Sequence, residues 1–399
     1  MVSSLQTRGV RTPEFRRLTG AWATSLVGDG VRTVALPLYT AISTGSPLAA
    51  SAVAMATALP WLLVALPAGV LVDRWPARLV VAVAHVLRAV VTALLALAVF
   101  TGRADVILLC AFAFLLTSAE TFADTASQVL LVEYAGADEL ERANGRFVTV
   151  ETVGMDLVGP LAASALFWWH PAACFALDAL TFVVAAWFVC RLPEVAARPR
   201  ARAGLRAQLA EGAGVLMRTR GLRVLVVAVA ATAISAAAVN AMFALYAIST
   251  LGLPPSTVPW LVVVISIGAL AGARISPLLA ARWGAGRVMV GALLLLGVSF
   301  AVFGAVRHLA AAVCAVLVFG LASAGWNVLS ATRRQRLTPG PLMGRVTSAY
   351  RVLAWGLSPV GAALAGPLAA ATSIGTVYLA AGATTVVTAA LLARPLLRT

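Results

Sequence analysis

The sequence predicts an all-α polytopic membrane protein with twelve transmembrane helices arranged as two six-helix halves. Of its 399 residues, 61% are hydrophobic and only 11% are charged, a composition outside the range of water-soluble domains. Twelve apolar runs reach about 20 residues, the length that an α-helix needs to cross roughly 30 Å of hydrocarbon. A basic stretch between the sixth and seventh runs divides them evenly.

The apolar runs also give the expected bounds of each helix, because charged and turn-forming residues separate them. The predicted spans are 18–43, 47–71, 79–102, 105–131, 144–168, 171–192, 222–250, 257–281, 287–306, 309–332, 344–367 and 372–393. The predicted organisation is a cytoplasmic tail (1–17), an N-terminal half (18–192), a cytoplasmic basic linker (193–221), a C-terminal half (222–393) and a second cytoplasmic tail (394–399).

The distribution of arginine predicts the orientation of the chain. Arginines collect before the first run, beside the gaps after even-numbered runs and after the last run, whereas the gaps on the opposite side hold only Arg103 and Arg307. Basic residues favour cytoplasmic loops, so we expect both termini in the cytoplasm of a bacterial cell. The net charge of +15 is scattered over these gaps, which indicates membrane orientation and no nucleic-acid partner.

The residue types exclude several chemistries. The sequence has no lysine, so neither a Walker A phosphate site nor a Schiff base is possible, and energy must come from a gradient or a partner. The four cysteines fall inside apolar runs, where we interpret them as small hydrophobic residues. His85, His170 and His308 are far apart in the sequence, so we predict no metal site, no cofactor and no enzymatic activity.

The most specific motif is the charged turn between the second and third runs. Its G-x-x-x-D-R-x-x-x-R pattern consists of Gly69, Asp73, Arg74 and Arg78. The glycine would let two helices approach closely, and the charges would lie at the water boundary. This pattern resembles the loop 2–3 signature of the major facilitator superfamily, although Pro76 stands where the usual form has a glycine.

Internal repeats extend this resemblance over the chain. Gly145-Arg146 and Gly159-Pro160 in the fifth span align with Gly344-Arg345 and Ser358-Pro359 in the eleventh at one constant offset. Such repeats imply two parallel halves with a substrate site near the membrane midplane between them. A likeness to the bacterial branch of siderophore exporters and macrolide efflux pumps rests on Gly28-Asp29-Gly30 with Arg32, Asp124-Thr125-Ala126, Glu141 to Arg146, Leu177-Asp178-Ala179, Trp326-Asn327, and Gly344-Arg345 with Tyr350-Arg351 and Trp355.

The Gly159-Pro160 pair also resembles the antiporter motif that exporters of the superfamily carry in their fifth helix. Ala162 and Ala163 stand where that motif has further glycines. A proline kink packed against a neighbouring helix would explain the same residues, so the pair favours export only modestly.

Acidic residues at membrane depth are the candidates for proton coupling, because a buried charge is costly and is kept for a function. All fifteen acidic residues lie at or before Glu211, which confines coupling to the first half. Asp29 and Arg32 share a face of the first helix, either as a structural ion pair or as a proton switch. Glu120 is a further candidate, and Asp156 is expected near mid-depth in the substrate site.

Other charged residues are expected to act as gates or latches. Glu120 and Asp124 share a face, and Asp124 would either couple protons or anchor Arg74, Arg78 or Arg146. Asp178 is interpreted as structural, with Arg88 as its partner. By the resemblance, Asp73 would face the start of the eleventh helix near Gly344 and Arg345. Glu151 is expected on a different face from Asp156, and close to Arg351 of the other half.

Aromatic and amide side chains at mid-depth are the candidates for a substrate cavity. They are Tyr39, Trp61, Phe122, Phe243, Tyr246, Trp326, Tyr350 and Trp355, with Asn240 and Asn327 as polar groups. A pocket with few polar groups and an acid suits hydrophobic or cationic molecules better than sugars.

Together these features predict a secondary transporter, a monomeric proton antiporter that exports hydrophobic drugs, macrolides, siderophores or other natural products from a bacterial cell by alternating access. The expected partners are a small hydrophobic or cationic substrate, protons and the lipid bilayer. A uniporter or importer would share the fold without titrating acids. A membrane sensor or scaffold is a third interpretation, favoured by the absence of acids from the C-terminal half.

Overall fold

We describe a computed structural model of the chain, covering residues 9–72, 74–136, 139–193, 205–339 and 342–397. The described residues are helical apart from short connections. The α-helices are α1 Pro13–Thr44, α2 Pro47–Leu63, α3 Ala65–Val72, α4 Ala77–Phe100, α5 Val106–Ala135, α6 Leu140–Glu151, α7 Gly159–Trp169, α8 Pro171–Cys190, α9 Leu205–Arg218, α10 Arg220–Ser249, α11 Val258–Trp283, α12 Ala285–Ala305, α13 Leu309–Leu337, α14 Met343–Tyr350, α15 Ser358–Ala371 and α16 Ile374–Leu397.

Each of the twelve predicted spans coincides with one helix or with consecutive helical segments. Ten segments of the described chain are long and apolar enough to cross a membrane. The remaining two spans correspond to α1, which carries charges within its apolar length, and to α2 with α3. The second span is interrupted after Leu63 because Pro67 has no amide hydrogen to donate to the Leu63 carbonyl.

The chain forms two compact units, each with its own apolar core. One unit contains Met1–Leu36 and Leu59–Ala201, and the other contains Pro37–Ala58 and Arg202–Thr399. In the first unit, Phe15, Leu130 and Phe147 belong to one buried cluster. In the second, Leu225, Met289 and Tyr350 do so. The C-terminal end of α1 and most of α2 therefore belong to the same unit as the C-terminal helices.

Two spans contain a π-helical segment at equivalent places in the repeat. Thr152–Val158 joins α6 to α7, and Arg351–Trp355 lies between α14 and α15. In the first, the Gly159 amide donates to the Gly154 carbonyl five residues back. A proline follows each segment, and its ring cannot fit against the carbonyl four residues earlier, so the wider turn accommodates it. Such wide turns often mark functional sites.

The basic linker contains a helix that the sequence analysis did not predict. α9 packs on α14 and α10, and Leu216 is fully buried in the core of the second unit. A carbonyl of Arg345 lies so close to Gly212 that a β-carbon there would collide with it.

Candidate functional site: a buried charge cluster

The candidate site begins with an ion pair inside α1. The Arg32 Nη2 atom donates to Asp29 Oδ1 at 2.7 Å, one helical turn away. Both residues are less than 5% exposed. At membrane depth such charges persist only when they are paired, so the neighbouring groups decide what this pair can do.

Three more helices bring charges to the same pair. The same Arg32 Nη2 atom lies 2.8 Å from Glu120 Oε2 on α5, and Arg32 Nε lies 3.4 Å from Asp178 Oδ2 on α8. Arg88 on α4 donates to Asp29 Oδ1, and it lies 3.6 Å from Glu120 Oε2. These five residues, Asp29, Arg32, Arg88, Glu120 and Asp178, are called the charge cluster below.

The predicted pairing of Asp178 with Arg88 is not the one that the structure shows. Arg32 is the guanidinium within ion-pair distance of Asp178, whereas Arg88 is directed at Asp29 and Glu120. The rotation of α4 and α8 about their axes decides which charges meet, and the sequence does not report it.

The glycines on either side of Asp29 explain why α1 fits into this position. A β-carbon on Gly28 would collide with Thr181 and with the Asp178 carboxylate of α8. One on Gly30 would lie 2.7 Å from the Met155 carbonyl oxygen of the π-helical segment. The Gly-Asp-Gly sequence therefore lets α1 contact two neighbours closely while Asp29 points into the cluster.

Aromatic and imidazole groups close the cluster on the α4 side. The Arg88 guanidinium lies 4.0 Å above the centre of the Phe182 ring. His85 stacks on the same ring at 6.0 Å and is buried. The position of His85 in the sequence gave no indication of this contact. In contrast, Glu120 has 18% of its side chain exposed and is the most accessible carboxylate of the cluster.

The two acids of the fifth span lie at the π-helical segment, with Glu151 just before it and Asp156 within it. The sequence analysis put Glu151 and Asp156, five residues apart, on different faces. The π-helical segment closes its turns over five residues, which is the spacing of these two acids, and the two carboxylates interact electrostatically. Both side chains are exposed. Since a carboxylate facing hydrocarbon is costly, we infer that they face water.

Comparison with known proteins is consistent with this architecture. The profile of the Major Facilitator Superfamily matches residues 20–362. The chain belongs to the Major Facilitator Superfamily. It is therefore a secondary transporter and not an enzyme, as the sequence analysis predicted.

The similar proteins of this superfamily include bacterial drug exporters. The chain is 30% identical over 371 residues to the multidrug efflux pump Tap of Mycobacterium tuberculosis, an alignment that covers 88% of this chain and 86% of Tap. It is 29% identical to the Tap pump of Mycolicibacterium fortuitum, covering 90% and 89% of the two chains. The relationship to Tap is thus distant but extends over most of both proteins.

Solved structures of the superfamily share the fold. The nucleoside transporter NupG superimposes with a TM-score of 0.77 at 15% identity, covering 97% of this chain and 100% of NupG. A bacterial homologue of the iron transporter ferroportin, in an inward-facing state, gives 0.73 at 16% identity, covering 96% and 100%. At these identities the likeness concerns fold alone.

The predicted gate residues of the first unit hold backbone groups. Arg78 Nη1 donates to the Leu192 carbonyl at 2.7 Å, and Arg146 Nη1 donates to the Val10 carbonyl at 2.8 Å. Arg74 is exposed at the turn. Asp124 is partly buried. Of the three arginines predicted to anchor it, Arg78 and Arg146 donate to backbone carbonyls in this structure.

The charged turn between the second and third spans departs from expectation at Gly69. Among the described atoms, nothing lies within 4 Å of where a β-carbon on Gly69 would stand. The predicted close helix contact at Gly69 is thus not seen among the described residues. Asp73, the acid of the motif, lies outside the described residues.

The arginine that opens the eleventh span binds within its own unit. Arg345 Nη1 lies 2.6 Å from Glu211 Oε2 of α9, and both side chains are partly exposed. Arg345 follows Gly344 in α14, as Arg146 follows Gly145 in α6. Arg146 therefore holds the segment that precedes α1, and Arg345 holds α9, the helix that precedes α10. The predicted approach of Glu151 to Arg351 stays a prediction.

Three predicted cavity aromatics are core residues instead. Tyr246, Trp326 and Tyr350 are each at most 3% exposed. The Tyr246 hydroxyl donates to the carbonyls of Gly304 and Val306. The other two pack in the core of the second unit. Their large rings fill space between helices, where hydropathy alone could not distinguish packing from cavity lining.

The remaining candidates are more accessible. Asn240, Asn327 and Trp61 are exposed, and Tyr39 is partly exposed. Phe243 stacks on Phe303 at 5.7 Å. Phe122 is on the wall of an apolar groove of about 370 Å³ beside α4 and α5. The side chain of Trp355 lies outside the described residues. Gly159 and Pro160 are buried, with Gly159 against Gly30.

The segment before α1 should detach at acidic pH. The Val10 amide donates to Glu139 Oε2 at 2.6 Å, and this bond, with Arg142, holds the pKa of Glu139 below its ordinary value of 4.5. The contact is therefore fully present above about pH 4.5 and is lost as the pH falls through the lowered pKa. The protection factors of the amides of residues 9–12, which are exchange rates corrected for the intrinsic effect of pH, should fall in that range.

Two variants test the assignment of this pH dependence. Glu139→Gln should lower the protection factors of the segment and make them independent of pH in the acidic range, whereas Glu141→Gln, which changes a neighbouring exposed acid, should behave as the wild type. Unchanged protection of residues 9–12 through the acidic range in the wild type would contradict the prediction.

Proposed function

We propose that this protein is a proton-coupled exporter of hydrophobic, often cationic drugs or natural products, working by alternating access in a bacterial cytoplasmic membrane as a monomer with both termini inside. The observation that carries the proposal is the charge cluster. It holds three carboxylates against two guanidinium groups, and it lies within the part of a superfamily transporter that contains all its membrane acids.

The charge balance of the cluster favours the uptake of a proton. With all five groups ionised, one negative charge is left over, and an aspartate charge at the centre of a membrane helix costs about 2.5–3.5 kcal/mol or more. A bound proton removes that cost, and so does a cationic substrate nearby. Asp29, Arg32 and Glu120 are thus placed to couple protonation to the binding of substrate.

The substrate class is supported by other features. The relatives named Tap are multidrug efflux pumps, and the exposed carboxylates of Glu151 and Asp156 would attract a cation from a water-filled path. A site with few polar groups and exposed acids suits large hydrophobic cations, macrolides and siderophores, although these compounds differ in shape.

Proton release on substrate binding tests the proposal directly. Purified protein in weakly buffered detergent would receive ethidium, a macrolide or a siderophore, with the release followed by a pH-sensitive dye. We expect release from the wild type, and its loss in at least one of Asp29→Asn, Glu120→Gln and Asp156→Asn. Asp105→Asn is the matched control, because Asp105 caps α5 in a loop and asparagine caps equally well.

The outcomes separate the proposal from its rivals. Binding of substrate without proton release from the wild type would overturn proton antiport and favour a uniporter. Absence of binding by every compound in the panel would contradict the proposed substrate class. Release that persists in all three acid variants would show that the coupling acid lies elsewhere in the chain.

A further inference from the structure

Asp178 differs from the other acids of the charge cluster in having no hydrogen-bond donor. It is fully buried on α8, and neither carboxylate oxygen has a hydrogen-bond partner among the described residues. The Thr181 hydroxyl, one turn away, donates to the Asp178 backbone carbonyl instead. Most buried polar atoms in proteins are hydrogen-bonded, so an ionised Asp178 would be unusually poorly stabilised here.

The other two acids take the available guanidinium groups. Arg32 Nη2 is bound to both Asp29 and Glu120, and Arg88 is directed at Asp29. Asp178 has only Arg32 Nε at 3.4 Å, an atom that itself makes no hydrogen bond within the described chain. The titratable and charged groups around Asp178 are Asp29 and Arg32 of α1, His85 and Arg88 of α4, and Glu120 of α5.

We propose that Asp178 holds the transported proton and that Arg32 acts as the counter-ion shared between Asp178 and Glu120. This inference rests on the proposed proton-coupled function. With the proton on Asp178, the cluster has two negative and two positive charges and is neutral. The Arg32 Nε atom already lies 3.4 Å from Asp178 Oδ2, on the carboxylate that would become charged once the proton leaves.

The release step follows from the exposure of the acids. The O–H bond of Asp178 breaks, the proton passes to Glu120, which is the accessible acid of the cluster, and from Glu120 it passes to water. The Asp178 carboxylate then pairs with Arg32. The cluster is left with one net negative charge, which a cationic substrate would balance. Reloading reverses these steps from the other side of the membrane.

This role differs from that of a structural acid. A proton that never leaves Asp178 would make the residue a neutral packing element, and asparagine would replace it without consequence for coupling. A transported proton makes the same replacement uncouple the protein, because asparagine has the shape of the protonated acid and cannot release a proton.

The test compares two modes of transport in liposomes. Wild type, Asp178→Asn and the control Asp105→Asn would be reconstituted, and ethidium movement measured with a pH gradient and as exchange across the membrane without one. We expect Asp178→Asn to lose at least tenfold in gradient-driven transport and to release no proton on binding, while it keeps exchange near the wild-type rate. Coupled transport and proton release at wild-type levels in Asp178→Asn would overturn the proposal.

A second measurement needs no variant, in case Asp178→Asn folds poorly. Infrared spectra of the wild type would be recorded with and without ethidium, using protein labelled with ¹³C at the aspartate carboxyl groups. Loss of a protonated carboxyl band that shifts with the aspartate label supports the proposal. A band that is unaffected by the label, or the absence of any such band, overturns it.

The two proposals fail in different ways. If the wild type releases no proton when substrate binds, the proposed proton antiport fails. If the wild type releases a proton and Asp178→Asn releases the same amount, antiport stands and only the assignment to Asp178 fails.

Discussion

Replacing Arg32 with glutamine is expected to destabilise the protein by about 3–5 kcal/mol, because removal of one partner from a buried ion pair leaves the other charges uncompensated. Arg32 lies within 3.4 Å of three carboxylates on three helices. After the change, Arg88 would be the remaining guanidinium of the charge cluster. Thermal unfolding in detergent would measure the loss, and proton-driven transport should be abolished.

The matched control for this change is an exposed pair in the same unit. Arg142 lies 2.8 Å from Glu139, and its side chain is 65% exposed, so Arg142→Gln should cost less than about 1 kcal/mol. Adding Asp178→Asn to Arg32→Gln removes one uncompensated acid and should recover part of the stability. An Arg32→Gln protein as stable as Arg142→Gln would show that Arg32 does not compensate the cluster.

Replacing Gly159 with alanine is expected to destabilise the first unit by about 1–3 kcal/mol, the usual cost of overpacking a close contact. A β-carbon on Gly159 would lie 2.5 Å from the Gly30 α-carbon. Backbone cannot turn aside as a side chain can, so α1 and α7 must separate. Because Asp29 adjoins Gly30, this separation should also disturb the charge cluster and reduce proton-coupled transport.

Gly145 offers a control for this substitution in the same span. Among the described atoms, nothing lies within 4 Å of where a β-carbon on Gly145 would stand. Gly145→Ala should therefore leave the unfolding temperature unchanged or raise it slightly, since alanine favours helix. Equal unfolding temperatures for the two variants would contradict the close contact of α1 with α7.

The close contact and the charge cluster show where local sequence information stops. Gly159 and Pro160 predicted a special packing position, and Asp29 with Arg32 predicted an ion pair one turn apart. The helix partners of these residues are far away in the chain. A pattern within one helix identifies the face that needs a neighbour, but it does not identify the neighbour.

The sequence by itself determined the membrane class, the twelve spans and their approximate bounds, the two repeats and the superfamily. These depend on local properties, since the thickness of the hydrocarbon sets the length of an apolar run and motifs lie within single turns or loops. It also confined the membrane acids to the first half.

Only the tertiary structure decided which charges meet. It joined Asp178 to Arg32, directed Arg88 at Asp29, and placed Asp156 in a π-helical turn just after Glu151. It also placed three predicted cavity aromatics in the core. The physical reason is that hydropathy reports depth in the membrane, whereas contacts depend on the rotation of each helix about its axis, and a single added residue in a turn changes that rotation.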